Sequence, residues 1–154
     1  MTDQTNKDIA QRYGEAWNRH DLEAILALQT TDIAFQLHSA GFEEVTGEAL
    51  VRQFAYFFDA WRDLYFHTVR LDVSGDLIVH EFEITGTLTK PFPLGEVAAQ
   101  PTARELRFPG MDVIRVRDGL VCRKDTYLDA LTLKAQLETV HEPRVQAPLR
   151  PTPA

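Results

Sequence analysis

Asp118-Gly119 separates two runs of strand-forming residues, 106–117 and 120–128. A tight turn between alternating apolar runs commits this part of the chain to an antiparallel hairpin. Side chains alternate across a strand, so the turn also decides which of them share a face. A two-residue turn pairs Val116 with Val121 and sets Asp112 beside Asp125. A three-residue turn with Gly119 in a left-handed bulge pairs Val116 with Leu120 and sets Asp112 beside Lys124. The second gathers Asp112, Ile114, Val116, Leu120, Cys122, Lys124 and Thr126 on one face. It leaves Arg115, Arg117, Arg123 and Asp125 on the other, and this cleaner segregation makes it the expected arrangement. Asp112 and Lys124 then become the two charged groups on an apolar inner face. Such groups either pair or shift toward their neutral forms. A partly buried ion pair with no chemical role is one reading of them.

The remaining elements follow from periodicity. Ile9, Tyr13, Ala16 and Trp17 recur at helical spacing between residues 6 and 18. Asp21 is positioned to cap a second helix carrying Leu22, Ile25, Leu26 and Leu28, which should end near Thr30. A short strand over 33–38 precedes a glycine-containing loop, and an aromatic third helix spans 48–64 with Phe54, Tyr56, Phe57, Phe58 and Trp61. Further strands are expected over 65–73 and 77–89; on the latter His80 shares a face with Ile78, Phe82 and Ile84. A loop over 90–102, with three prolines, reads as a mobile flap. A short helix begins near Asp129, and a proline-rich tail over 143–154 is expected to be disordered or to lie on a partner. Helices first and a strand meander afterwards make this an α+β chain with one domain over 1–142.

Composition narrows the function. With 154 residues and 44% hydrophobic content, one domain can bury one sizeable core. A net charge of −7 argues against nucleic acid as a partner, because backbone binding needs a basic stripe. The single Cys122 excludes an internal disulfide. No stretch approaches the roughly 18 apolar residues of a membrane span, and the polar N-terminus has no signal-like apolar region. A cytoplasmic location with no membrane partner is the expectation. His20, His67 and His141 show no metal-ligand spacing, so no metal is expected.

The run Gln11-Arg-Tyr-Gly-Glu-Ala-Trp-Asn-Arg-His-Asp-Leu-Glu-Ala-Ile-Leu-Ala-Leu, Gly47 with its helix, Glu83-Ile-Thr-Gly-Thr-Leu-Thr and Gly110-Met-Asp-Val-Ile-Arg-Val-Arg-Asp-Gly-Leu-Val resemble SnoaL-like polyketide cyclases and ketosteroid isomerases. The resemblance covers residues 8 to about 138 and implies the cone-shaped fold of the nuclear transport factor 2 superfamily. In that fold, a curved, mostly antiparallel sheet is wrapped by three N-terminal helices. It implies a reaction less sharply, because the superfamily holds isomerases, cyclases, dehydratases, epoxide hydrolases and proteins without catalysis.

In ketosteroid isomerases a helix-one tyrosine and a protonated strand aspartate hold an oxyanion while a second aspartate moves the proton. Tyr13 and Asp112 match the first two. The base position falls at Leu37, which leaves His38 beside it as the nearest substitute. The Asp-Arg-Asp set of limonene epoxide hydrolases would fall near Phe82, Ile84 and Thr126, which disfavours that chemistry. The histidine-tryptophan-aspartate segment on the last strand of SnoaL-like cyclases is replaced by Cys122-Arg-Lys-Asp-Thr.

Two functions result. The first is a cofactor-independent isomerase, aldol-type cyclase or dehydratase acting on a hydrophobic carbonyl compound. In it Tyr13 and Asp112 bind the developing oxyanion, and His38 or else His80 is the base. If Lys124 pairs with Asp112, Asp112 becomes the base and Lys124 the electrostatic stabiliser. Trp17, Phe54, Phe57, Trp61, His80 and Phe82 form the substrate walls. The second is a non-catalytic ligand-binding or interaction module. A homodimer through the open sheet face is expected in either case.

Overall fold

The computed structural model describes residues 2–138, so the 143–154 tail lies outside the described residues. Helix α1 (Asp3–Asn18) is capped by Thr2, whose side chain accepts from the Thr5 amide, and buries Ile9, Tyr13, Ala16 and Trp17 along one stripe. Asp21 caps α2 (Leu22–Ala27) through the Ala24 amide, as its sequence position implies, although the helix ends before Thr30. Strand β1 (Gln29–Leu37) therefore starts earlier than expected. After one helical turn at His38–Ala40 comes α3 (Gly47–Ala60). This helix stops short of Leu64 because the backbone turns out of helical geometry at Trp61 (φ −127°), and both Trp61 and Leu64 end buried.

Strands β2 (Tyr65–Ser74) and β3 (Leu77–Gly86) form a hairpin. The 90–102 segment is not a structureless flap. Phe92–Leu94 (β4) pairs with Val97–Ala99 (β5) around Gly95, whose φ of 64° suits glycine. Phe92 drops from this small hairpin into the core against Trp61 and Phe57. Strands β6 (Leu106–Arg117) and β7 (Leu120–Leu128) have the expected limits, and α4 (Ala130–Glu138) follows, with the Asp129 carboxylate accepting from the Thr132 amide.

The main sheet has the order β1-β7-β6-β3-β2, antiparallel except where β1 runs beside β7. It is curved and does not close, giving the α+β cone expected from the sequence. Its inner face carries Ile78, His80, Phe82 and Ile84 from β3, together with Phe108, Asp112 and Ile114 from β6. Helix α1 crosses β2 and is pinned there by polar contacts. The Asn18 side chain accepts from the Phe66 amide at 2.8 Å and donates to its carbonyl at 3.0 Å, taking the place of a further strand. Asn6 donates to the Gly75 carbonyl at 2.7 Å in the β2–β3 turn.

Gly110 faces Phe82 on β3 and Leu128 on β7. A Cβ there would meet the Phe82 ring at 2.5 Å and the Leu128 side chain at 2.9 Å, and Phe82 is fully buried. Gly110→Ala is expected to lower unfolding stability by about 1–3 kcal/mol through overpacking. An unchanged urea midpoint would contradict this packing.

Candidate functional site

The site is set by one irregularity in β7. Asp118 (φ 51°) and Gly119 (φ 82°) form the two-residue turn, so Val116 pairs with Val121 and not with Leu120. The three-residue turn expected from the sequence is not formed. One step further on, Arg115 faces Arg123, which leaves Cys122 as an extra residue in a bulge. The bulge reverses the alternation of β7. Before it Val121 points inward; after it Lys124 and Thr126 do, while Asp125 turns outward. Leu120 and Cys122 therefore do not belong to the inner face. Asp112 stands opposite Thr126, and Lys124 reaches it on the diagonal from its position opposite Ile114.

Lys124 Nζ donates to Asp112 Oδ1 at 2.6 Å and to Thr126 Oγ1 at 2.7 Å. The Thr126 hydroxyl in turn donates to Asp112 Oδ1 at 2.6 Å. All three residues are buried. Asp112 Oδ1 therefore takes both bonds, and Oδ2 makes none among the described residues. The ammonium also lies 5.2 Å from the Trp17 ring and 5.5 Å from the Phe35 ring, contacts that offset part of its lost hydration. Burial pulls the Lys124 pKa below its ordinary value, against the opposing pull of Asp112.

Tyr13, on α1, is 2% exposed and accepts from Gln29 Nε2 at 2.6 Å. Burial, above all, raises its pKa well beyond the ordinary value, so the phenol keeps its proton. His80 is the cross-strand neighbour of Asp112, and its Nε2 lies 2.9 Å from Thr68 Oγ1. Burial holds its pKa down, Asp112 opposes this, and Lys124 reinforces it.

Two cavities meet at Lys124. The larger, about 50 Å³, is walled by Trp17, Phe57, Trp61, Phe66, Phe92 and Phe108 among others, and its polar lining comes from Lys124 and Thr126. The smaller, about 20 Å³, is lined by Tyr13, His80, Asp112 and Lys124, with Trp17 and Phe66 shared between the two.

The expected residues separate accordingly. Tyr13, His80, Asp112 and Lys124 converge, and Trp17, Phe57 and Trp61 are walls. Phe54 and Phe82 are fully buried one layer back: Phe54 packs against Trp17 and Phe35, and Phe82 against Phe66 and His80. His38 does not reach either cavity. It follows Leu37, the inward-facing last residue of β1, and opens the helical turn after it, where its Nε2 lies 2.8 Å from Asp125 Oδ1 and its ring stacks on Tyr127. Asp125 also accepts from Arg123 at 2.7 and 2.8 Å. Thr126, Phe35 and Phe66 were not singled out as site residues by the sequence reading; alternation on their strands carried the signal for each.

The SnoaL-like domain pattern matches residues 10–124 of the chain. Solved structures with the same fold include a candidate SnoaL-like polyketide cyclase from Jannaschia sp. CCS1, 18% identical, with a TM-score of 0.77, covering 90% of this chain and 95% of that one. A candidate polyketide cyclase from Xanthomonas campestris is 24% identical with a TM-score of 0.74, covering 88% and 98%. IdmH, a candidate polyketide cyclase from Streptomyces antibioticus, is also 24% identical, with a TM-score of 0.71 over 86% and 98%. No curated protein sequence matches the chain.

His80 provides a pH test of this packing. Its folded pKa lies below 6.5, so the unfolded chain binds more protons in the window between the folded value and 6.5. Stability contributed by neutral His80 is present above pH 6.5 and is lost as pH falls through the folded pKa. His80→Gln is expected to flatten the stability–pH curve on the acid side of 6.5, measured by urea unfolding. A wild-type slope retained in the variant would show that His80 is not the group responsible.

Proposed function

The chain belongs to the SnoaL-like domain family, and from that premise we propose that it is a cofactor-independent enzyme moving a proton beside the carbonyl of a hydrophobic small molecule. The observation that carries this reading is the Asp112 carboxylate. Its Oδ1 is held by Lys124 and Thr126, while among the described residues Oδ2 makes no hydrogen bond, in a side chain that is buried. An oxyanion-binding role would need Asp112 to donate, whereas its carboxyl accepts from both Lys124 and Thr126 and so presents an acceptor to the site. Asp112 is therefore the base, with Oδ2 the atom that takes the proton.

Lys124 supplies positive charge to the enolate oxygen, and the protonated Tyr13 phenol is a further donor toward the smaller cavity. Returning the proton to a different atom gives an isomerase; attack of the enolate carbon on a second carbonyl gives an aldol-type cyclase. His80, kept largely neutral beside Asp112, can relay the proton onward.

The aromatic walls suit a flat, hydrophobic substrate. The larger cavity, about 50 Å³, is well below the roughly 300 Å³ at the lower end of small-molecule sites, so the β4–β5 hairpin and Phe92 must yield on entry. That same small volume favours the second reading, a non-catalytic module. Met111 and Tyr127, cross-strand neighbours on the outer sheet face, are exposed and would meet a second copy in the homodimer this reading includes.

Deuterium incorporation beside the carbonyl of a panel of hydrophobic ketones, followed by NMR in heavy water, tests the proposal. Wild type is expected to catalyse exchange and Asp112→Asn to lose about 10²-fold or more. Binding of the ketones without exchange would leave the non-catalytic module.

A further inference from the structure

Lys124 is one of four lysines among sixteen basic side chains, and the other three, Lys7, Lys90 and Lys134, are exposed. Arginine is the usual choice for a buried ion pair because its guanidinium stays charged and forks onto a carboxylate. A buried lysine differs in being able to give up its proton and become a nucleophile. Here the proton has a receiver, since Asp112 Oδ1 lies 2.6 Å from Nζ and transfer converts two buried charges into a neutral amine and a neutral acid. The cavities add direction. Asp112 lines the smaller one, whereas Lys124 and Thr126 are the polar lining of the larger, so a carbonyl seated among the aromatic walls meets the amine before the carboxylate.

We propose that Lys124 forms an imine with an aldehyde or unhindered ketone held in the larger cavity. This deepens the proton-transfer reading and rests on its choice of a carbonyl ligand. After proton transfer to Asp112, the Nζ lone pair attacks the carbonyl carbon. A C–N bond forms, the C=O π bond breaks, and the oxygen takes one of the two protons from the now cationic nitrogen to give a neutral carbinolamine, with Asp112 still protonated. Asp112 then returns a proton to the hydroxyl, the C–O bond breaks, water leaves, and a protonated imine remains. In sum, the ammonium and the carbonyl compound give the iminium and water, with Asp112 regenerated as carboxylate and no oxidant or reductant consumed. The iminium stays paired with Asp112 and withdraws electrons from the neighbouring carbon, whose proton Oδ2 can then take to leave an enamine.

Borohydride trapping tests this on the full chain with butanone near neutral pH. Hydride reduces the imine to a stable secondary amine, which peptide mapping locates. The expected result is alkylation at Lys124 exceeding that at Lys7, Lys90 and Lys134 by about tenfold or more, since a carbonyl held in the cavity is presented to the amine that lines it. The double variant Lys124→Met/Asp112→Asn removes both buried charges together and avoids stranding one of them. Folded by circular dichroism, it is expected to show no trapping beyond the surface lysines. Labelling confined to the surface lysines of wild type would overturn the proposal. Deuterium exchange without trapping at Lys124 would sink the imine and leave the enolate reading standing. Trapping without exchange would support the imine and sink the proton-transfer step.

Discussion

The Lys124–Asp112 ion pair is the interaction on which the site depends, and it exists because of one extra residue in a strand. Without the bulge at Cys122, the two-residue turn would put Asp125 on the face of Asp112 and two carboxylates would confront each other in an apolar cone. With it, Lys124 and Thr126 enter and Asp125 leaves to join Arg123 and His38 outside. Removing two charges from water costs several kcal/mol per ion, which the pair recovers only if its geometry is good and its remaining bonds are made. Three hydrogen bonds of 2.6–2.7 Å among Lys124, Thr126 and Asp112 and two ring faces near the ammonium meet that requirement.

The aromatic lattice around the pair serves both the fold and the site. Trp17 packs edge-on against Phe54 and near Phe58 and Phe66, so helices α1 and α3 and strand β2 share one ring cluster. The same indole faces both cavities and lies near the Lys124 ammonium. A dry wall of this kind strengthens every charge interaction inside it and explains why a single amine and a single carboxylate can dominate the chemistry. The short β4–β5 hairpin completes the wall by delivering Phe92 against Trp61.

Much of this was legible in the chain itself. The limits of β6 and β7, the stripe on α1 and the inward set Ile78, His80, Phe82 and Ile84 follow from periodicity alone. The meeting of Asp112 and Lys124 was also expected, but for a reason that did not hold, because segregation of the faces was achieved by a bulge inside β7 and not by a longer turn. A bulge has no strong local signature when its extra residue is an ordinary side chain such as Cys122. His38 was misplaced by nearness in sequence to Leu37, although β1 ends at Leu37 and His38 opens the helical turn that follows, where it meets Asp125. The β4–β5 hairpin was hidden because Pro91, Pro93 and Gly95 read as loop residues while its strands are only three residues each.

The most direct test of the account is a pH titration of the lysine side chains by NMR, with Lys124 assigned through Lys124→Met. The account predicts that Lys124 titrates below the ordinary lysine value of 10.5, and that Asp112→Asn lowers it further by removing the charge that holds the proton on. Titration of Lys124 together with the exposed lysines, unmoved by Asp112→Asn, would contradict the buried pair and the chemistry built on it.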